Sequence, residues 1–170
     1  SFPEVKEQTV VINGFSKSFA MTGWRLGYAC GHKDLINEMK KIHQYCIMCA
    51  PTTAQDAAIE ALRNSEDDVE MMAKEYNRRR RVMLDGFKKA GYSCFEPKGA
   101  FYVFPNIKSS GLSSDEFCER LLTEYKVLVV PGTAFGECGE GYVRACYASS
   151  MENIVEAMRR IKAFTDSLGK

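Results

Sequence analysis

Apolar positions along the chain alternate between two periods, and each period predicts a kind of element. Residues 9–13, Thr-Val-Val-Ile-Asn, form a β-branched run closed by Gly14, which predicts a short buried strand. Residues 26–30 predict a second short strand, closed by Gly31. From Lys33 onward, Leu35, Met39, Ile42 and Cys46 recur at the spacing of one helix face. Pro51 ends that helix, and Thr52 and Thr53 are expected to cap a second one running to about Leu62.

A longer helix is predicted over residues 65–90, with Gly91 as its stop. Its opening acids, Glu66, Asp67, Asp68 and Glu70, sit where the positive end of the helix dipole favours negative charge. Strands and turns follow: residues 92–95 and 100–104 flank a turn at Pro97, Lys98 and Gly99. Ser113 and Glu116 have capping-box spacing, with Leu112 and Phe117 able to staple the start of a helix to about Tyr125. Residues 127–130 and 142–147 predict further strands. Ser149 and Glu152 repeat the capping spacing before a last helix with Ile154, Met158, Ile161, Phe164 and Leu168 on one face.

Strands and helices therefore alternate, the signature of an α/β or α+β chain. Only two short strands precede the long helix, and an isolated strand pair is marginal in water. They are expected to be the last strands of a larger sheet. Its start has neither the basic nor the apolar stretch of a signal peptide, so none is expected there, and without an initiating Met the chain is expected to be a piece of a larger protein.

Composition changes this picture little. Charged residues make up 26% and the net charge is +1, so no bulk field draws the chain to nucleic acid or to an anionic membrane. No apolar run approaches the roughly 18 to 20 residues of a membrane span. Seven cysteines, an odd number scattered through apolar segments, point to reduced thiols in a cytoplasmic protein. Cys46 and Cys49 form a lone C-x-x-C without a second ligand pair, so no metal is expected, and the two read as small residues packed on a helix face. The run Arg78, Arg79, Arg80, Arg81 spreads around a helix and reads as solvated and acid-paired.

The candidate chemistry is concentrated at Lys17. It follows an apolar strand and a glycine, so it is expected at a strand end, where α/β proteins place ligand sites. Ser16, Ser18 and Thr22 offer hydroxyls and Arg25 offers a planar two-pronged donor, a mixture suited to a phosphorylated ligand. Gly23 and Gly27 are expected to let the backbone turn tightly around it. On composition alone, a solvated Lys beside a surface Arg fits equally well.

The string over 13–28, Asn-Gly-Phe-Ser-Lys-Ser-Phe-Ala-Met-Thr-Gly-Trp-Arg-Leu-Gly-Tyr, resembles the cofactor-lysine segment of class I and II aminotransferases of fold type I, in the aspartate aminotransferase-like branch. Residues 98–102 resemble the family's Gly-Ala-Phe-Tyr turn, residues 130–136 its Pro-Gly-x-x-Phe-Gly loop, and residues 141–148 the strand whose Arg holds the substrate α-carboxylate.

The resemblance implies the C-terminal portion of such an enzyme, with residues 1–65 the tail of the cofactor-binding large domain and 66–170 a linking helix and small α+β domain. It implies that Lys17 forms the Schiff base with pyridoxal 5'-phosphate and moves the substrate's Cα proton. Arg25 would bind the cofactor phosphate with Ser16 as helper, and Arg144 the substrate carboxylate. Gly14 stands where many members carry a phosphate-binding Ser. Also implied are amino acid and 2-oxo acid substrates, a role in amino acid biosynthesis, and a homodimer. The family's ring-nitrogen Asp, its cofactor-hydroxyl Tyr and its phosphate turn would precede residue 1, so these 170 residues alone are expected to be inactive. Two alternatives share the same residues: another fold type I enzyme such as a lyase or decarboxylase, and a non-catalytic sensor half of a transcription regulator.

Overall fold

In the computed structural model, which describes residues 2–169, the chain divides into two compact units, Ser1–Met72 and Ala73–Lys170, the division falling inside the long helix. The first unit opens with a 3-10 turn, Pro3–Gln8, and then forms β1 (Val10–Gly14). A single helical turn, α1 (Phe15–Ser18), follows at once, and after a 3-10 turn at Thr22–Trp24 the chain returns as β2 (Gly27–Gly31). The two strands pair antiparallel, from Val10 opposite Gly31 to Gly14 opposite Gly27. Gly27 is needed there, because a Cβ would stand 2.9 Å from the Asn13 carbonyl oxygen.

Helices α2 (Lys33–Ile47) and α3 (Thr52–Asn64) complete this unit. Ala54, Ala58 and Ala61 recur along one buried face of α3, and Ala58 and Ala61 join Phe15 and Met21 in a small core. Their small side chains let the helix backbone approach the turn that carries Lys17. The expected threonine cap is not made: Pro51 occupies the cap position, and Gln55 Nε2 instead donates to the Ala50 carbonyl at 2.9 Å. The predicted apolar face of α2 exists but is not covered, with Leu35, Met39, Ile42 and Cys46 all exposed. Cys46 and Cys49, read as packed small residues, are both exposed instead.

Helix α4 (Glu66–Lys89) enters the second unit and ends before Gly91, whose φ of +87° makes the predicted left-handed stop. Arg78 and Arg79 pair with Glu75, and Arg80 with Glu96 at 2.6 Å, as the charge pattern suggested. The strands are shorter than predicted. β3 (Ser93–Cys94) and β4 (Tyr102–Val103) flank the expected turn but do not pair with each other; β3 pairs with β5 (Pro105–Asn106). Tyr147 holds the intervening loop elsewhere, donating from its hydroxyl to the Ala100 carbonyl and from its N–H to the Phe101 carbonyl, both at 2.9 Å.

Helix α5 (Ser114–Tyr125) carries the predicted capping box at Ser113 and Glu116. Residues 127–129 stay outside the ladder because the Val127 N–H closes α5 by donating to Leu121, leaving β6 as Val130–Pro131. β7 (Val143–Cys146) lies between β4 and β6 in an antiparallel sheet. Helix α6 (Met151–Ser167) is capped one residue later than expected, by Ser150 accepting from the Asn153 N–H. Its Ile154, Met158, Ile161 and Phe164 join Phe87, Val103, Phe117, Leu121, Val143 and Ala145 in one continuous core. Gly86 in α4 lets Met158 pass, since any Cβ there would collide with it.

Candidate functional site

The predicted site residues fall into two clusters, one in each unit. In the first unit, Ser16 and Lys17 lie on α1, directly beyond the last residue of β1. Lys17 is exposed, while Phe15 before it and Met21 after it are buried and anchor the turn. Phe15 packs against Phe19 and Tyr28, with ring centroids 5.3 and 5.6 Å apart.

Backbone hydrogen bonds close the loop that holds Lys17. Phe15 donates to the Leu26 carbonyl at 3.2 Å, Met21 to Phe15 at 3.3 Å, and Ala20 to Lys17 itself at 3.2 Å. Thr22 Oγ1 donates to the Ser16 carbonyl at 2.9 Å, so its hydroxyl hydrogen braces the loop rather than facing a ligand. Arg25 Nη1 donates to the Thr22 carbonyl at 3.0 Å. That bond uses one of the five N–H donors of a guanidinium and fixes its direction.

The tight turning was expected at Gly23 and Gly27, and the structure corrects this: Gly27 opens the extended β2 rather than a turn. Gly23 lies in open space, whereas Ala20 and Arg25 adopt the left-handed region at φ of +53° and +54°. Such a conformation costs a non-glycine residue roughly 1 kcal/mol or more and persists only where the surroundings impose it. Here the closing hydrogen bonds impose it, and they aim the Arg25 side chain. No sequence signal marks these two positions.

Would these groups suit a phosphorylated aldehyde? An amine that an aldehyde can reach and a guanidinium with unspent donors stand in one braced loop, so they fit such a cofactor. Ser16 is half-buried beside them, and Thr22 is already committed to the loop.

In the second unit, alternation along β7 turns Val143 and Ala145 into the core and Arg144 and Cys146 to the other face. Tyr102 stands opposite Cys146 and is therefore diagonal to Arg144. The Arg144 guanidinium lies between two aromatic rings, 4.4 Å from the Tyr102 centroid and 4.6 Å from that of Phe135. Phe135 is itself packed edge-on against Phe104 at 5.8 Å. Stacking of this kind holds a cation in place without neutralising it. Among the described residues no carboxylate of this unit is paired with Arg144, so its forked donors stay available to an anion. Tyr102 and Phe135 both lie in motifs visible in the sequence, but nothing there pairs them with Arg144.

Other reactive groups have less to offer. Burial pushes the Cys118 thiol up to about 11, too high for a nucleophile near neutrality. Among the described residues no three His, Cys, Asp or Glu side chains gather as a metal site would need, and no helix is long and apolar enough to cross a membrane.

Comparison with known proteins adds an independent line. Residues 2–161 match the family described as aminotransferase class I and II. YugH of Bacillus subtilis (strain 168) is 56% identical over 96% of this chain and 42% of its own length. An aspartate aminotransferase of Pyrococcus horikoshii is 51% identical, over 95% of this chain and 43% of that protein. The crystal structure of an aromatic aminotransferase from Pyrococcus horikoshii OT3 superposes with a TM-score of 0.93 at 45% identity, covering 98% of this chain and 45% of that one. The chain thus spans about two fifths of the length of the curated relatives it matches.

Proposed function

The chain belongs to the class I and II aminotransferase family, with the fold type I architecture expected of it, and on that premise we propose that the protein carrying it is an aminotransferase. It moves an amino group between an amino acid and a 2-oxo acid and uses pyridoxal 5'-phosphate. The observation that supports this most is the braced loop over residues 14–27. It presents the Lys17 amine at a strand end and, through the left-handed Arg25, a guanidinium with donors to spare.

When bound, pyridoxal phosphate supplies an aldehyde for amines and a ring that takes up the electrons of a broken Cα–H bond. Lys17 Nζ would be the amine that holds the cofactor's aldehyde, and it would also be the base that takes the proton from the substrate's Cα and, once protonated, the acid that returns it. Arg25 binds the phosphate through the donors it has not spent on Thr22, with Ser16 beside it. Arg144, held flat between Tyr102 and Phe135, binds the substrate's α-carboxylate with two parallel N–H bonds. That grip fixes the direction of the Cα–H bond, and orientation is a large part of the rate. The same reading carries with it a homodimeric, cytoplasmic protein of amino acid biosynthesis, which rests on family resemblance.

Borohydride reduction of the protein loaded with pyridoxal phosphate, followed by peptide mapping, tests the assignment. The label is expected on Lys17, and a label on another lysine overturns it. Amino transfer that requires a 2-oxo acid acceptor separates this reading from a lyase or decarboxylase.

A further inference from the structure

The connection between β6 and β7 is built more tightly than a simple loop. Gly132 donates its N–H to the Tyr142 carbonyl at 2.8 Å, joining the two ends. Between them Gly132 and Gly139 press backbone against backbone, and a Cβ on either would collide with the oxygen of the other. Only glycine fits such an approach.

A second element holds this loop from outside. Ser114, fully buried at the first position of α5, accepts the Gly141 N–H on its Oγ at 2.8 Å. Its own N–H donates to Glu140 Oε1 at 3.0 Å. Gly141 is buried with φ of +81°, and its carbonyl accepts the Ile107 N–H at 2.9 Å. Within the loop so fixed, Phe135 ends a 3-10 turn, Gly132–Phe135, and lays its ring over the Arg144 guanidinium.

We infer that Ser114 and Glu140 are positioning residues for carboxylate recognition: they fix the 132–142 loop, the loop fixes Phe135, and Phe135 fixes the direction of Arg144. This rests on the reading of Arg144 as the carboxylate-binding group. The physical link is the freedom of a long side chain. Among the described residues of its unit Arg144 has no carboxylate partner and two rings hold its guanidinium, so a slack loop removes one of those holds. Removal of the Ser114 hydroxyl leaves the buried Gly141 N–H without its acceptor, and the loop relieves that by shifting. The loss falls on grip of the carboxylate, and a substrate without a carboxylate does not feel it.

The test uses the holoenzyme carrying this chain with Ser114→Ala and, separately, Glu140→Ala. Glu140 is exposed, so that variant folds even if the buried substitution does not. Each is assayed with an amino acid the holoenzyme accepts and with the carboxamide of the same amino acid. KM for the amino acid is expected to rise about fivefold, the size of a lost cation–π contact. The kcat is expected to stay within about twofold, and kcat/KM for the carboxamide to stay unchanged. Equal losses on both substrates mean a fold-wide role and overturn the inference, as does an unchanged KM. Arg144→Lys is run beside them. If it too leaves preference for acid over amide intact, the reading of Arg144 fails; if it abolishes that preference while the loop variants do not, only the inference fails.

Discussion

The two units support their charged residues in opposite ways. In Ala73–Lys170, Arg144 stands on a strand whose other face is part of a continuous core, and aromatic rings fix its side chain. In Ser1–Met72, Lys17 and Arg25 stand on a loop drawn tight by backbone hydrogen bonds, over a core built on Phe15, Met21, Ala58 and Ala61. Around that small core Ile12, Ile42 and Tyr45 are left 75%, 67% and 94% exposed. Local hydrogen bonding therefore sets the geometry of the lysine loop, while its apolar burial is thin. The two kinds of support are separable, and variants can show it.

The largest effect is expected at Lys17. Lys17→Ala should lower amino transfer by the whole protein by about a thousandfold or more, the scale of a lost acid–base group. Because the residue is exposed, its circular dichroism should be unchanged. A variant with most of its activity would break the picture of this loop as the reactive half.

Next come two apolar truncations in the 170-residue chain, followed by urea denaturation. Phe164 is 0% exposed, and Phe164→Ala should cost about 3–5 kcal/mol. Ile12→Ala should stay within about 0.5 kcal/mol, as exposed substitutions do. Similar costs at the two positions would erase the contrast between the units.

Arg144→Lys is expected to be milder: KM for the amino acid and for the 2-oxo acid should each rise about tenfold as two parallel hydrogen bonds become one contact, while the carboxamide is unaffected. Pyridoxal phosphate absorbance on titration should not change, because the cofactor is assigned to the other unit. A loss of cofactor binding would show that the two clusters are not independent.

The smallest effect concerns acid. Hydrogen bonds from Arg159 and then Arg160 hold the Glu156 carboxyl down from 4.5 to about 2. A group depressed in the folded state contributes stability above its ordinary value and loses it as pH falls through the folded one. Glu156→Gln should therefore lower Tm slightly at pH 7, and the difference should shrink as pH falls below 4.5 and through about 2. The side chain is 41% exposed, so screening by salt should shrink the difference further. No comparable shift is expected from truncations in the first unit.

Much of this was legible in the chain. The capping box at Ser113 and Glu116, the stop at Gly91 and the buried face of α6 follow from local spacing, and each formed where spacing put it. The position of Lys17 at a strand end was equally legible, because β1 and its closing glycine are local. What failed was whatever depended on a particular contact rather than on periodicity. Val127 was spent on closing α5, β3 chose β5, and the face of α2 found no cover among the described residues. The left-handed turns at Ala20 and Arg25 were invisible although their cause is local, since closing bonds from Phe15 and Met21 follow no periodic spacing and impose the turns on residues that do not favour them.

The sequence by itself therefore determined which groups are present and in what order: an amine, a guanidinium eight residues later and a second guanidinium far downstream, in a string that resembles one family. Only the tertiary structure decided how they are aimed. Arg25 points where the strained backbone and the Thr22 carbonyl send it, and Arg144 lies flat because Tyr102 and Phe135 close on it. Propensity and spacing act over one helical turn or one strand, whereas a side chain's direction is set by the particular contacts the folded backbone and its neighbouring rings make.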